Sequence, residues 1–114
     1  MARIKRKYLD EVIRTIGTED IKVITGVRRS GKSILLDDFK KYVKSDIENA
    51  NVISFALSSL KYEKLREYHA LNDYVEERFA EGAKNFLLID EVQMCEGFEL
   101  ALNSLHASHK YDIY

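Results

Sequence analysis

Residues 85 to 90 read Asn-Phe-Leu-Leu-Ile-Asp, four apolar side chains in succession with no polar alternation. A strand with one wet face would alternate, so this run reads as a strand buried on both faces, the condition of a sheet covered by helices. Two further runs are short and rich in β-branched residues: Ile-Lys-Val-Ile-Thr from Ile21 to Thr25, and Asn-Val-Ile-Ser-Phe-Ala-Leu from Asn51 to Leu57. A fourth begins at Tyr111, where Tyr-Asp-Ile-Tyr ends the sequence.

Helical spacing fills the intervals. Tyr8, Leu9, Val12, Ile13 and Ile16 form one apolar stripe that stops at Gly17, a natural C-terminal cap. Ile34, Leu35, Phe39, Tyr42 and Val43 form a second, starting at about Lys32. Leu65, Tyr68, Leu71, Val75 and Phe79 predict a mostly helical stretch from Leu60 to Phe79, broken near His69 to Asn72 and closed by Gly82. Phe98, Leu102 and Leu105 give another helix. Strands that alternate with helices pair in parallel, so the expected fold is a three-layer α/β sandwich.

Bulk properties narrow the class. A chain of 114 residues, 46% hydrophobic and 32% charged, is one soluble globular domain at most. Eighteen Lys and Arg against 19 Asp and Glu leave a formal charge of −1, so no overall field draws it to nucleic acid or anionic lipid. The basic cluster Arg3, Lys5, Arg6 and Lys7 reads as a solvated helix start. The single cysteine, Cys95, excludes an internal disulfide and reads as a small packing residue. No apolar run of membrane-spanning length and no secretory signal is present, which makes the cytoplasm the expected location. His69, His106 and His109 show no metal-ligand spacing with one another or with Cys95.

The chemistry sits between the first strand-like run and the second helix. Gly26, Gly31, Lys32 and Ser33 fit the pattern G-x-x-x-x-G-K-[ST] in full. A chance match in a chain of this length is on the order of a few per thousand. Glycines let the backbone curl so that successive N–H groups face inward, and the helix start adds partial positive charge, which together suit phosphate. The amides from Arg29 through Ser30 and Gly31 to Ser33 are expected to hold the β-phosphate, Lys32 to reach the β- and γ-phosphates, and Ser33 to ligate Mg²⁺. Ile34 stands where many such loops carry a hydroxyl, so its contact to the α-phosphate is expected from the backbone alone. Arg28 and Arg29 at the crown of the loop read as solvated.

Asp90 and Glu91 end the third strand-like run, at the carboxyl edge of a parallel sheet where ligands bind. Asp90 is expected to hold the magnesium shell and Glu91 to polarise an attacking water as a general base. Gln93 either positions that water or is a surface turn residue.

The stretches "ITGVRRSGKSILL", "VISFAL", "NFLLIDEVQ" and "FELALNSL" with "YDIY" resemble the AAA+ superfamily, specifically prokaryotic predicted ATPases whose loop reads GVRR-x-GKS and whose acidic motif reads DE-[IV]-Q. The resemblance implies a P-loop NTPase sheet of order 5-1-4-3-2, Walker A at Gly26 to Ser33, Walker B at Phe86 to Glu91, and ATP or ADP with Mg²⁺ as cofactors. It also implies that residues 21–114 are an incomplete core behind a leading helix at 1–20. On that resemblance the sequence is expected to stop inside the fourth strand, before any sensor residue or arginine finger. The expected function is ATP binding with Mg²⁺-dependent hydrolysis as the nucleotide-binding part of a larger ATPase. The alternatives are a nucleotide-dependent switch without turnover and a small-molecule kinase. A fourth strand reduced to a stub is expected to leave apolar edges that favour self-association.

Overall fold

The computed structural model describes residues 2–24 and 29–114, without the side chains of residues 2–6, 29, 30 and 32. Three strands form one sheet in the order β1 (Ala50–Ala56), β2 (Lys84–Asp90), β3 (Tyr111–Ile113), and both pairings are parallel. Four α-helices accompany them: α1 (Ala2–Ile13), α2 (Arg29–Asp46), α3 (Tyr68–Glu77) and α4 (Phe98–Ala107). Two 3-10 segments, Leu60–Leu65 and Val92–Met94, complete the regular structure among the described residues.

The apolar density of residues 86 to 89 has the predicted consequence, since all four are buried. Successive side chains on a strand point to opposite faces. Phe86 and Leu88 accordingly join Phe39 and Val43 of α2 and Tyr114, with Leu9, Val12 and Ile13 of α1 packed against them. Leu87 and Ile89 face the other way, into a cluster with Ile53 and Phe55 of β1, Leu71 and Val75 of α3, and Ala101 and Leu105 of α4. The result is the expected three-layer α/β arrangement, with helices on both faces of a parallel sheet.

The boundaries depart from the sequence reading in two places. The break in the third helical stretch lies at Arg66–Glu67, ahead of the predicted His69 to Asn72, which all fall inside α3. Glu67 is the reason: its carboxylate accepts from the amides of His69 at 2.8 Å and Ala70 at 3.0 Å, capping α3 one turn early. The second departure concerns Ile21 to Thr25. Residues 21–24 are not a strand, and Thr25 lies outside the described residues. The segment runs beside β3 with one backbone bond to it, Lys22 N to Ile113 O at 3.0 Å. Val23 is 76% exposed, so the run lacks the burial that its β-branched composition suggested.

The end of the chain fills the space between β2 and this segment. Tyr114 N donates to Leu87 O at 2.7 Å and Ile89 N donates to Tyr114 O at 2.9 Å, and the Tyr114 ring stands 4.6 Å from that of Phe39. The order from β1 through β2 and β3 to the Lys22 segment agrees with the 2-3-4-1 part of the implied sheet order.

Candidate functional site

The start of α2 and the end of β2 meet at the carboxyl edge of the sheet. Phe39 and Val43, four residues apart on α2, are buried in one cluster with Phe86 and Leu88 and set this helix flat against that face of the sheet. That packing fixes where the first turns of α2 must lie. Ser33, on the second turn, donates its hydroxyl to Asp90 Oδ2 at 2.7 Å, across 57 residues of sequence.

Asp90 is held from both sides. It pairs in register with Ala56, its carbonyl accepts from Leu57 N at 3.0 Å, and the preceding Ile89 is tied to Tyr114. Directly after it Glu91 takes a left-handed conformation, φ 57° and ψ 47°. A side chain with a Cβ reaches that region at a cost of about 1–2 kcal/mol, and such strain is concentrated at ligand and catalytic sites. The half-buried Glu91 carboxylate accepts from Gln93 Nε2 at 2.7 Å, and Met94 N closes the turn on Glu91 O at 3.1 Å. Asp90, Glu91 and Gln93 stand on the rim of a cavity of about 420 Å³, whose apolar wall includes Ile21, Leu36 and Leu102.

Of the residues predicted for phosphate, Gly26 lies outside the described residues, as does Arg28. The backbone of Arg29 to Ile34 forms the first turns of α2, so the helix begins three residues earlier than its apolar spacing suggested. The side chains of Arg29, Ser30 and Lys32 are outside the description, like those of Arg3, Lys5 and Arg6. Gly31 is half-buried and Ile34 is 42% exposed. The first four backbone N–H groups of an α-helix have no partner within it, and here they lie on the edge where Asp90 ends its strand.

Sequence reasoning missed a polar network that seats the segment leading into the loop. Lys22 pairs with Asp112, and both side chains are nearly buried, at 11% and 14% exposure. Lys22 Nζ also donates to Thr18 O at 2.8 Å, and Gly17 N donates to Asp112 Oδ2 at 2.9 Å. Thr15 and Asp112 both lie 3.3 Å from the Tyr114 hydroxyl. Burial, the largest influence, pushes that hydroxyl well above the ordinary tyrosine range. One signal was available: "IKVIT" and "YDIY" each carry a single charge, of opposite sign, inside an otherwise uncharged strand-like run.

The remaining candidates sit elsewhere. Cys95 is buried at 1% exposure, and that burial pushes its thiol up, in keeping with a packing residue. His106 Nε2 meets Glu19 O at 2.6 Å, and His69 Nδ1 meets Glu67 Oε1 at 2.7 Å. Among the described residues, no helix is long and apolar enough to cross a membrane.

The family model described as "AAA domain" matches residues 18–114. An uncharacterized protein of Haemophilus influenzae is 33% identical over 111 residues, which is 96% of this chain and 28% of that relative. The chain thus spans well under a third of the length of the relative it matches. No solved structure matches the chain.

Proposed function

The chain belongs to the AAA domain family, whose members are nucleotide-binding, ATPase-type domains, and from that membership we propose that it binds ATP with Mg²⁺ and hydrolyses it as the nucleotide-binding part of a larger protein. The greater length of the Haemophilus influenzae relative supports the last clause. The observation that carries the reading is the Ser33–Asp90 hydrogen bond at 2.7 Å, because it joins the last residue of the G-x-x-x-x-G-K-[ST] pattern to the acid at the end of β2.

In this reading the open first-turn amides of α2, from Arg29 to Gly31, cradle the β-phosphate and Lys32 reaches the β- and γ-phosphates, with Gly26 and Gly31 allowing the close backbone approach. The Ile34 amide lies past the open end of α2 and is committed to the helix's own ladder, so the α-phosphate contact expected of it forms no part of this reading. The Ser33 hydroxyl and the Asp90 carboxylate are hard oxygen donors on an accessible edge, a donor set that suits Mg²⁺. When bound there, Mg²⁺ offsets the charge that builds on the phosphate oxygens. Glu91 accepts the proton of the attacking water, and the next turn keeps its carboxylate on the same rim as Asp90.

A nucleotide titration paired with phosphate release tests this. Wild type should bind ATP and release phosphate. Lys32→Ala should lose binding by about tenfold or more, whereas Glu91→Gln should retain binding and lose roughly 10²- to 10⁴-fold in release. Equal affinity in wild type and Lys32→Ala would remove the reading. Label transferred to a small acceptor, with no free phosphate, would replace it with the kinase.

A further inference from the structure

We infer that Gln93 is a positioning residue for hydrolysis, acting through Glu91; the inference rests on the reading of Glu91 as the general base. Glu91 reaches the rim from a left-handed backbone position, and its carboxylate is attached to a chain of three rotatable bonds. An unrestrained side chain of that kind spreads over several rotamers, only some of which aim an oxygen at a water in line with the γ-phosphate. The Gln93 amide removes that freedom by donating to Glu91 Oε1 at 2.7 Å.

The backbone that carries the donor is anchored. Gln93 lies on the single 3-10 turn Val92–Met94, and the residues around that turn are anchored in the core. Val92 packs against the cluster that contains the buried Cys95, and Cys95 N donates to Val92 O at 3.0 Å. Gln93 projects outward from this turn, exposed, with no burial role of its own. What sets this contact apart from other local surface pairs is the carboxylate it meets, the one that follows Asp90 in the acidic motif.

The arithmetic of acceptors decides what the contact does. An ionised carboxylate offers two oxygens and about four lone-pair sites. Gln93 occupies one site on Oε1, and no other described residue bonds the carboxylate, so Oε2 can take a proton from water. The contact therefore orients the base without blocking it. The Gln93 carbonyl oxygen, on the same amide, is a second acceptor beside the Glu91 carboxylate.

The test compares wild type, Gln93→Met, Gln93→Glu and Glu91→Gln in steady-state phosphate release, with nucleotide affinity and thermal midpoint measured alongside. Methionine keeps length and bulk but has no donor; glutamate also adds a like charge against Glu91. Expected kcat falls about tenfold in Gln93→Met and further in Gln93→Glu, with KM for ATP within about twofold of wild type and midpoints unchanged. Wild-type kcat in both variants, while Glu91→Gln is dead, overturns the inference and leaves the function intact. Loss of kcat together with affinity and midpoint also overturns it, because that pattern marks a turn builder. A wild-type chain that releases no phosphate, or an active Glu91→Gln, sinks the function and this inference together.

Discussion

The two sides of the site are held in place by different physics. The acid side rides on β2, which pairs with β1 through seven registered positions and buries Phe86 to Ile89 between two layers of helices. The loop side is led in by residues 21–24, which share one backbone bond with β3 and rely on Lys22, Asp112, Gly17, Thr15 and Tyr114 for the rest. Ladder hydrogen bonds and apolar burial are insensitive to salt and to pH near neutrality. A nearly buried charge pair is little screened by salt, but it holds only while each partner stays paired, because removing one leaves an uncompensated charge. Loss of a single polar partner should therefore loosen the approach to the glycine loop while the acid stays in place.

The largest expected effect lies on the ladder side. Leu87 is fully buried in the middle of β2. Leu87→Ala should cost about 3–5 kcal/mol in urea unfolding, with little dependence on salt, because the loss is apolar transfer plus a cavity. A cost under about 1 kcal/mol would mean that the strand core collapses freely, and the contrast between the sides would disappear.

Next comes the network side. Asp112→Ala strips a nearly buried Lys22 of its counter-charge and leaves Gly17 N without its acceptor, for an expected loss of about 2–4 kcal/mol. Breaking one partner of such a pair is costly, whereas replacing both is not, so Lys22→Met combined with Asp112→Leu should recover most of that loss. Additive losses in the double variant would show that the pair does not work as a unit. Nucleotide affinity, read in the same samples, should fall more in Asp112→Ala than in Leu87→Ala at matched residual stability.

How much of this was legible follows the same divide. The buried strand, its parallel partners and the helix stripes could be read because each is a local repeat of apolar residues, and the Gly-Lys-Ser and Asp-Glu motifs are contiguous. What escaped depends on partners far apart in sequence. Ile21 to Ile24 has strand composition, yet too little of it is covered, and composition reports preference, not coverage. Asn85 passed unremarked before an apolar run, although it is buried and bonded to Ala80, Ala83 and Asn51, tying the loop before β2 to β1. The left-handed turn at Glu91 could not be read at all, since nothing about a glutamate announces a positive φ.

A smaller effect probes the turn that leaves the acid side. Gly97 has φ 73°, and a Cβ built there would stand 2.6 Å from Tyr68 Cδ1. Gly97→Ala should cost about 1–3 kcal/mol from strain and the forced shift of that ring. The same variant should leave the Lys22 side unaffected, so nucleotide affinity measured under folding conditions should hold. If affinity fell with stability, the turn between Glu91 and α4 would be coupled to the loop, and the two sides could no longer be treated as separate.

The smallest effect at neutral pH has the most diagnostic pH dependence. Tyr114 donates to Asp112 Oδ2 at 3.3 Å and accepts from Thr15 at the same distance, both long contacts, so Tyr114→Phe should cost under about 1 kcal/mol at pH 7. Its hydroxyl is held above the tyrosine range chiefly by burial. A group whose folded-state value is raised contributes stability that is fully present below the unfolded value, about pH 10, and is lost as pH rises from there through the folded value. Wild type should thus lose stability above about pH 10 more steeply than Tyr114→Phe. Tyr74 and Tyr111, also raised mainly by burial, remain in both and set the shared slope. Stability curves measured from pH 8 to 11 should therefore converge at the alkaline end. Parallel curves would mean that the Tyr114 hydroxyl reaches solvent and that the loop side is not sealed at its base.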